Sequence, residues 1–361
     1  MFDNVISLLA ANKPEVSKAF FHYCRTDTLE KLLKDDAEIF CTHTAHLNDD
    51  MEILEGCRKF LSYLVDEAGY SPECVQMLER NLSANIHNFD PKITRTPTVM
   101  PWTFSLSEAY DSPYQWKHYT DCQCGGYCVA FSREKLENAI NALNGANVNA
   151  LLPRERRTIL VLLPCLYLGV DDQLIQDIFK ATISDFEDDF NVIKNSSLGL
   201  EPPRINGVRV LTAIFFVSSI IKRKRFRHER EWRIIMSATS DIRNRFETTV
   251  GKPCLRTLLS SANSGGIKDL IVQVLQSPQG IQQELTKRAQ HVFKRTGALF
   301  PVHTSVVKNS VVRNYITRCV VPDGYEDYVV DSTSAKMDAD VCSCEEFLLR
   351  AVTDGNGMSV A

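Results

Sequence analysis

Residues 226–237 read Phe-Arg-His-Glu-Arg-Glu-Trp-Arg-Ile-Ile-Met-Ser, a charged stretch that runs directly into an apolar one. The apolar part, 232–237, predicts a β-strand. Glu229 and Glu231 stand two residues apart where this strand begins, and residues i and i+2 of a strand share a face. We therefore expect two carboxylates to project together. Such a pair raises the pKa of at least one carboxyl group unless cations compensate for it.

Short strands and helices of mixed length alternate on both sides of this stretch, which predicts an α+β fold with helical insertions. The predicted domain is a single catalytic-like one over residues 1–316, with a helical insertion near 51–90. Residues 323–346 hold eight acidic residues and one lysine. We therefore expect 317–361 to form an acidic, loosely ordered C-terminal tail.

The composition is that of a globular protein. The chain has 361 residues, of which 44% are hydrophobic and 24% charged, and its net charge is −4. This excludes a mainly disordered or collagen-like chain and argues against a surface built throughout for nucleic acid. The longest apolar run, 159–170, contains Pro164 and is shorter than the roughly 18 residues of a membrane span. The start, Met1 to Asn4, has no basic n-region, so we expect no signal peptide. The chain has 12 cysteines, and we expect a cytoplasmic protein with mostly free thiols and no membrane partner.

A cluster of cysteines offers a possible metal site. Cys122, Cys124 and Cys128 lie close together, and Cys342 and Cys344 form a second pair. Zinc sites usually combine CxxC pairs with a further Cys or His pair, whereas the spacing here is irregular and gives no clear fourth ligand. We expect free thiols and no metal, with a zinc-stabilised binding domain as the alternative.

A basic stretch precedes the two carboxylates and encloses Phe226. Basic side chains with an interleaved aromatic ring can bind phosphates and stack on bases. A run of this kind also often forms nothing more than a solvated surface, with its arginines paired to Glu229 and Glu231. The candidate contacts to nucleic acid or another acceptor are Lys222, Arg223, Lys224, Arg225 and Arg227.

Three segments carry short motifs in a fixed order. The first holds His22-Tyr23 and Leu47-Asn48-Asp49-Asp50-Met51-Glu52, the second holds Phe104-Ser105, Trp116-Lys117-His118-Tyr119 and Gly126, and the third is Glu229-Arg230-Glu231-Trp232-Arg233. In order and spacing they resemble the bacterial family numbered 2971 among the domains of unknown function. The resemblance covers roughly residues 20–316, with gaps. The cysteine-rich segment before Gly126 and the tail depart from the family pattern.

The layout of that family looks like a distant ADP-ribosyltransferase, with a His on the first strand, an aromatic residue in the middle and a Glu on a later strand. This likeness implies a split mixed or antiparallel sheet, NAD as the substrate and no metal. In that superfamily the His holds the NAD ribose and the aromatic ring stacks on nicotinamide. The Glu, often the second of a Glu-x-Glu pair, stabilises an oxocarbenium-like transition state.

Carried onto this sequence, the resemblance implies that Glu231 is the catalytic carboxylate and that Glu229 activates or selects the acceptor. The structural alternative for Glu231 is an ion pair with Arg233 or Arg230.

The same resemblance implies an NAD-binding set on the earlier motifs. His22 would bind the ribose, Tyr119 would stack on nicotinamide and Arg25 would meet the pyrophosphate. Trp116 would brace this segment. The alternatives are core packing for the rings and a solvated surface for Arg25. Asn48 more often caps a turn than binds a ligand.

The predicted function is transfer of ADP-ribose from NAD to a nucleic acid or protein. In bacteria such activity often belongs to toxins or anti-phage systems. Two alternatives stay open at this point. One is NAD glycohydrolysis at the same site, with water as acceptor. The other is a non-catalytic module that binds nucleic acid or another partner.

Overall fold

The computed structural model describes residues 2–12, 17–33, 39–47, 51–87, 100–120, 124–148, 158–195, 204–238, 246–249, 252–257, 267–280, 282–296, 302–305 and 307. The predicted tail 317–361 lies outside these residues, as do Asn48, Cys122, Cys342 and Cys344. A domain boundary at residue 316 also falls outside them.

Helices and strands alternate along the described chain, which confirms the α+β prediction. In order they are α1 (Asp3–Ala11), β1 (Ala19–Cys24), α2 (Thr26–Leu33), β2 (Ile39–His43), α3 (Glu52–Asp66), α4 (Pro72–His87), β3 (Trp102–Ser107), α5 (Pro113–Tyr119), β4 (Tyr127–Ser132), α6 (Arg133–Val148), β5 (Thr158–Pro164), β6 (Leu166–Tyr167), α7 (Asp172–Asp185), α8 (Glu187–Asn195), α9 (Arg204–Ser218), β7 (Ile221–Lys222), β8 (Glu231–Ala238), β9 (Phe246–Thr249), β10 (Lys252–Thr257), β11 (Ile271–Gln276), α10 (Gln282–Thr296) and β12 (Val302–Thr304).

The chain divides into two compact units. The first unit comprises Met1–Val16, Glu38–Ser105 and Glu137–Ala262, and the second comprises Ser17–Ala37, Leu106–Leu136 and Asn263–Ala361. Helices α3 and α4 of the first unit lie in the region of the helical insertion predicted near 51–90. No helix among the described residues is both long and apolar enough to cross a membrane.

The first unit joins antiparallel strands to a helical core. Strand β2 pairs with both β3 and β10, β10 pairs with β9, and β5 pairs with β8 along its whole length. Rings from α3, α7 and α8 meet in the core, where Phe60 lies edge-on to Phe179 and stacks with Phe190. Helix α9 brings Val210, Leu211 and the run from Ala213 to Val217 into the same core. This explains why an apolar stretch long enough for a strand is a helix here.

The second unit contains a mixed sheet. Strand β4 is antiparallel to β1 and to β11, while β11 runs parallel to β12. The residues packed on one another here include Phe21, Tyr23 and Trp116. The pairing is therefore mixed and mostly antiparallel, as predicted, whereas the likeness of the sheet to an ADP-ribosyltransferase stays a prediction.

The apolar run that contains Pro164 forms two strands, and the break between them redirects the chain. Pro164 has no N–H, and it is the last residue of β5 to pair with β8. Cys165 then donates its N–H to the Glu231 carbonyl at 2.8 Å, and Leu166 donates to Ile220 at 2.7 Å. Strand β6 consequently pairs in parallel with β7. Within three residues, the chain thus changes its pairing partner from β8 to β7.

Helices α3 and α9 approach each other closely at Gly56. A Cβ atom at this position would lie 2.8 Å from the Cα, Cβ and carbonyl oxygen of Ser218. Real Cβ atoms do not come so near a backbone, so only glycine permits this helix spacing.

We expect Gly56→Ala to lower the free energy of unfolding by about 1–3 kcal/mol, because the two helices must separate or strain to admit the methyl group. Gly145→Ala in α6 is the matched control, since nothing lies within 4 Å of its added Cβ. The control should stabilise the protein by about 0.5–1 kcal/mol through helix propensity. Urea denaturation of both variants measures the difference, and equal effects would contradict the close approach.

Candidate functional site

Lys222 lies at the centre of a buried group of charges in the first unit. It is the second residue of β7, and its Nζ donates hydrogen bonds to carboxylate oxygens of both Glu229 and Glu231. The third carboxylate near Nζ belongs to Glu52, whose Oε2 is 3.8 Å away. One ammonium group therefore holds carboxylates from three different elements.

Glu231 is the first residue of β8 and is fixed through both its backbone and its side chain. Its N–H donates to the Tyr167 hydroxyl at 2.9 Å. Its Oε1 accepts from Arg233 Nε at 2.7 Å and its Oε2 accepts from Lys222. Burial alone would raise the pKa of Glu231, but the guanidinium and ammonium groups outweigh burial and hold that pKa well below its usual range. Glu231 is therefore an ionised, oriented carboxylate.

Arg233 uses every nitrogen of its guanidinium group. Nε donates to Glu231, Nη2 pairs with Glu52 Oε1 and Nη1 donates to the Ser219 carbonyl. These three partners fix the plane of the guanidinium fork. Burial opposes the charge on Arg233, but its acidic surroundings raise the pKa well above the usual value, so Arg233 stays positive.

Glu52 is the first residue of α3 and comes from a distant part of the sequence. Its Oε1 meets Arg233, while its Oε2 lies too far from Lys222 for a hydrogen bond. Burial raises the pKa of Glu52, although Arg233 and Lys222 oppose the increase. The two cations therefore lower the pKa of both carboxyl groups, but burial outweighs them at Glu52 and not at Glu231.

The predicted convergence of Glu229 and Glu231 is confirmed, but the predicted reason for it is wrong. Glu229 ends a 3-10 helix, Lys224–Glu229, and only Glu231 belongs to the strand. Between them Arg230 adopts the left-handed conformation, with φ 43° and ψ 49°. This conformation is uncommon for a residue with a side chain, and it turns the backbone sharply between the two carboxylates.

We define the charge cluster as Glu52, Lys222, Glu229, Glu231 and Arg233. Each of its residues is between 2% and 5% exposed. Within the described part of the chain, the cluster counts three carboxylates against two cations, a formal charge of −1. Its members come from the first and third motif segments of the sequence, together with the start of the basic stretch. Two motifs that are far apart in the chain therefore meet at one point.

Sequence reasoning missed three members of this cluster. Glu52 closes the motif Leu47–Glu52 but carries no predicted role, and Arg233 enters only as an alternative partner of Glu231. Lys222 is predicted to contact nucleic acid, whereas the structure buries it among carboxylates. The motif positions of Glu52 and Arg233 were the available signal. The sequence gives no comparable sign that Lys222 is buried.

The rest of the basic stretch forms a partly exposed surface. Lys224, Arg225 and Arg230 are exposed, and Arg223 and Arg227 are half-buried. The Arg225 guanidinium carbon lies 4.8 Å from the centre of the Phe226 ring, and Lys222 Nζ lies 5.0 Å from it. The Phe226 ring therefore makes cation–π contacts with basic residues of its own stretch. The exposed part of the stretch begins at Lys224.

The predicted NAD-binding residues other than Asn48 belong to the second unit. His22 is half-buried in β1, opposite Val129 of β4, and Arg25 is exposed just after this strand. Trp116 is fully buried in α5 and donates its Nε1–H to Asp111 at 2.6 Å. Tyr119 ends the same helix and packs against the core that contains Trp116.

Trp116 thus braces its segment, as expected. The roles of His22, Arg25 and Tyr119 toward NAD stay predictions. Glu229 and Glu231 lie in the first unit, so the structure groups the two predicted sets each within its own unit.

Seven cysteines form no disulfide bond: Cys24, Cys41, Cys57, Cys74, Cys124, Cys128 and Cys165. Cys128 is buried at the start of β4 and Cys124 is exposed, while Cys122 lies outside the described residues. In the ranges that the structure describes, no group of three or more His, Cys, Asp or Glu side chains is placed to hold a metal ion.

Residues 115–234 match a family model described as Protein of unknown function (DUF2971). The match confirms the predicted resemblance to this family over residues 115–234. The DUF2971 match includes Trp116 and Tyr119 and also the segment Lys222–Arg233. Comparisons with curated proteins and with solved structures give no significant match. Because the DUF2971 description states no activity, the likeness to ADP-ribosyltransferases stays a prediction.

The cluster predicts a large cost for removing its central cation. Lys222→Met keeps the length of the side chain but leaves three buried carboxylates with one cation, and we expect it to lower the free energy of unfolding by about 3–5 kcal/mol. The control is Arg223→Met, which removes the adjacent half-buried cation that pairs with Glu55 at 3.2 Å. That partly solvated pair should contribute under about 1 kcal/mol. Chemical denaturation measures both, and similar losses would contradict a central role for Lys222.

Proposed function

We propose that the protein transfers ADP-ribose from NAD to a nucleic-acid or protein acceptor, with Glu231 as the carboxylate that faces the reacting ribose. One observation carries this proposal. The charge cluster buries an oriented, ionised carboxylate together with two further carboxylates and two cations. Such a site suits a ligand in which positive charge develops.

The chemistry requires this kind of group. When the bond between nicotinamide and ribose breaks, its electron pair leaves with the nicotinamide, which becomes neutral, and the ribose carbon becomes cationic. A fixed carboxylate stabilises that charge more strongly in the transition state than in the ground state. The acceptor then forms a bond to the ribose carbon and loses a proton. The products are nicotinamide and the ADP-ribosylated acceptor.

The proposal needs one oxygen of Glu231 to leave its present partner. Oε2 shares Lys222 with Glu229, so the ammonium group keeps a carboxylate partner when Oε2 turns toward the ribose. Oε1 stays on Arg233, which preserves the orientation of the side chain. Glu229, on the other side of Lys222, is our candidate for activating or selecting the acceptor.

The same chemistry with water as acceptor would make the protein an NAD glycohydrolase. Transfer to a macromolecule or consumption of NAD would each suit a toxin or an anti-phage effector, which is the setting that we propose for it in bacteria.

The test is release of nicotinamide from NAD by wild type and by Glu231→Gln, with cell lysate added as a source of acceptors. Gln keeps the size of the side chain and removes its charge, so we expect a loss of about 100-fold or more. The matched control is Glu55→Gln, a similar change at a half-buried Glu of the same unit. It should keep wild-type activity.

Adenine-labelled NAD then identifies the acceptor. Release of the label by nuclease would identify a nucleic-acid acceptor, and release by protease would identify a protein. Glu229→Gln should reduce the labelling of the acceptor more than it reduces nicotinamide release. Free labelled ADP-ribose alone would indicate glycohydrolysis. If wild type neither releases nicotinamide nor binds NAD in calorimetry, the proposal fails.

A second candidate function is binding of nucleic acid without catalysis. The observation that favours it is the contrast in exposure: both oxygens of Glu231 are paired and buried, whereas Lys224, Arg225 and Arg230 lie on the surface. Exposed basic side chains next to one another can neutralise phosphates without any reacting group.

For this candidate we expect the double variant Lys224→Gln/Arg225→Gln to bind single-stranded RNA more weakly. Its logarithmic salt dependence should decrease by about 1.4, because each lost phosphate contact contributes about 0.7. The control is Lys59→Gln, which removes an exposed lysine of α3. Fluorescence anisotropy over a range of salt concentrations measures both. An unchanged slope in the double variant would show that this surface does not bind the strand.

A further inference from the structure

We propose that Glu52 is the positioning residue of the charge cluster: it orients the Arg233 guanidinium toward Glu231 and carries the one proton that the cluster exchanges for a cationic substrate group. The inference deepens the proposed function, and its second part rests on that function. Its first part concerns the protein without any ligand.

Glu52 contacts Nη2 of Arg233, whereas Glu231 accepts from Nε of the same guanidinium group. Ser219 lies 14 residues before Arg233 and Glu231 two residues before it, whereas Glu52 lies 181 residues away in the sequence. The contact between Glu52 Oε1 and Nη2 therefore ties the start of α3 to the start of β8. With Nη1 on the Ser219 carbonyl, this contact leaves Nε pointing at Glu231 Oε1. Glu52 acts on Glu231 through this guanidinium group.

The distribution of hydrogen bonds identifies which carboxylate holds the proton. Glu231 accepts from both cations and Glu229 accepts from Lys222, so their charge is stabilised directly. Glu52 shares Arg233 with Glu231, and its Oε2 is 3.8 Å from Lys222. A buried negative charge that shares its cation with a second carboxylate is costly, and protonation removes that cost. Burial raises the pKa of Glu52, in keeping with this assignment.

The surroundings of Glu52 define what its proton can respond to. Lys222 faces it from β7, Glu231 and Arg233 face it from β8, and Glu229 lies across Lys222 at the end of the 3-10 helix. Cys165 is the nearby thiol that interacts with the same charges, and its pKa is raised well above the usual value, chiefly by burial. On helix α3 itself, Glu55 pairs with Arg223.

The exchange is a simple proton balance. With Glu52 protonated, the five cluster residues are electrically neutral in the resting protein. When the positively charged nicotinamide ring of NAD approaches Glu231, Glu52 releases its proton to the buffer, and the cluster takes the charge of −1 that the ring neutralises. No bond other than the O–H bond of Glu52 breaks in this step.

The first test compares Glu52→Gln with wild type in urea denaturation between pH 4 and pH 8. Gln resembles the protonated carboxyl group and does not titrate. The folded-state pKa of Glu52 lies above the unfolded value of 4.5, so its contribution to stability is full below pH 4.5 and is lost as pH rises toward the folded pKa. We therefore expect wild type to lose stability relative to Glu52→Gln as pH rises. The ratio of their unfolding equilibrium constants should change by about tenfold for each unit that separates the two pKa values.

Glu55→Gln is the matched control, because it makes the same change one helical turn away at a half-buried site. The rise in stability relative to wild type should be larger for Glu52→Gln than for this control. Parallel curves for wild type and Glu52→Gln over this range would overturn the inference. If Glu52→Gln does not fold, infrared titration of the wild type decides instead. A carboxyl C=O band of a protonated, buried side chain that persists above pH 5 supports the inference, and its absence overturns it.

The second test follows NAD binding by calorimetry in two buffers that differ in ionisation enthalpy. Wild type should release about one proton per NAD and Glu52→Gln none. If the stability test succeeds and NAD does not bind, the proposed function fails while the protonation of Glu52 stands. If NAD binds with equal proton release in both proteins, the linkage to Glu52 is wrong.

Discussion

The first unit depends on two buried cations, Lys222 and Arg233, that hold three carboxylates away from water. Removing charges from water costs several kcal/mol per ion, and only close pairing repays that cost. Each cation here makes more than one contact, so the loss of either would leave two or more groups with too few partners. Because the paired groups come from α3, β7, the 3-10 helix and β8, this one interaction ties together elements that the backbone leaves far apart in sequence.

Backbone hydrogen bonds create the space in which this pairing occurs. Pro164 ends β5. The next two residues donate their N–H groups to the carbonyls of Glu231 and Ile220, and β6 then pairs with β7, the strand that carries Lys222. The Tyr167 hydroxyl then accepts from the Glu231 N–H. On the other side, the left-handed turn at Arg230 lets Glu229 face Lys222 from outside the strand. Strand ends and turns thus set the positions of the charges before any side chain pairs.

Much of this framework is visible in the sequence because it follows from local patterns. The periodicity of α3 and α4, the apolar run that becomes β8 and the alternation that gives an α+β fold all depend on near neighbours. The burial of Lys222 does not. A lysine that begins a run of basic residues has the local pattern of a solvated surface, and only its contact with carboxylates from other elements makes it a core residue. The same limit applies to Glu52, whose partner Arg233 is 181 residues away.

The unequal numbers of carboxylates and cations distinguish this cluster from a purely structural lock. A purely structural ion-pair network needs only one partner for each charge. A third carboxylate adds a cost of desolvation without adding a cation. Within the described residues that cost can be offset by a proton or by a positively charged ligand. These two occupants compete for the same negative charge, so the binding of one displaces the other. A cluster built in this way must bind cations more weakly as the pH falls, while Arg233 and Lys222 keep Glu231 ionised.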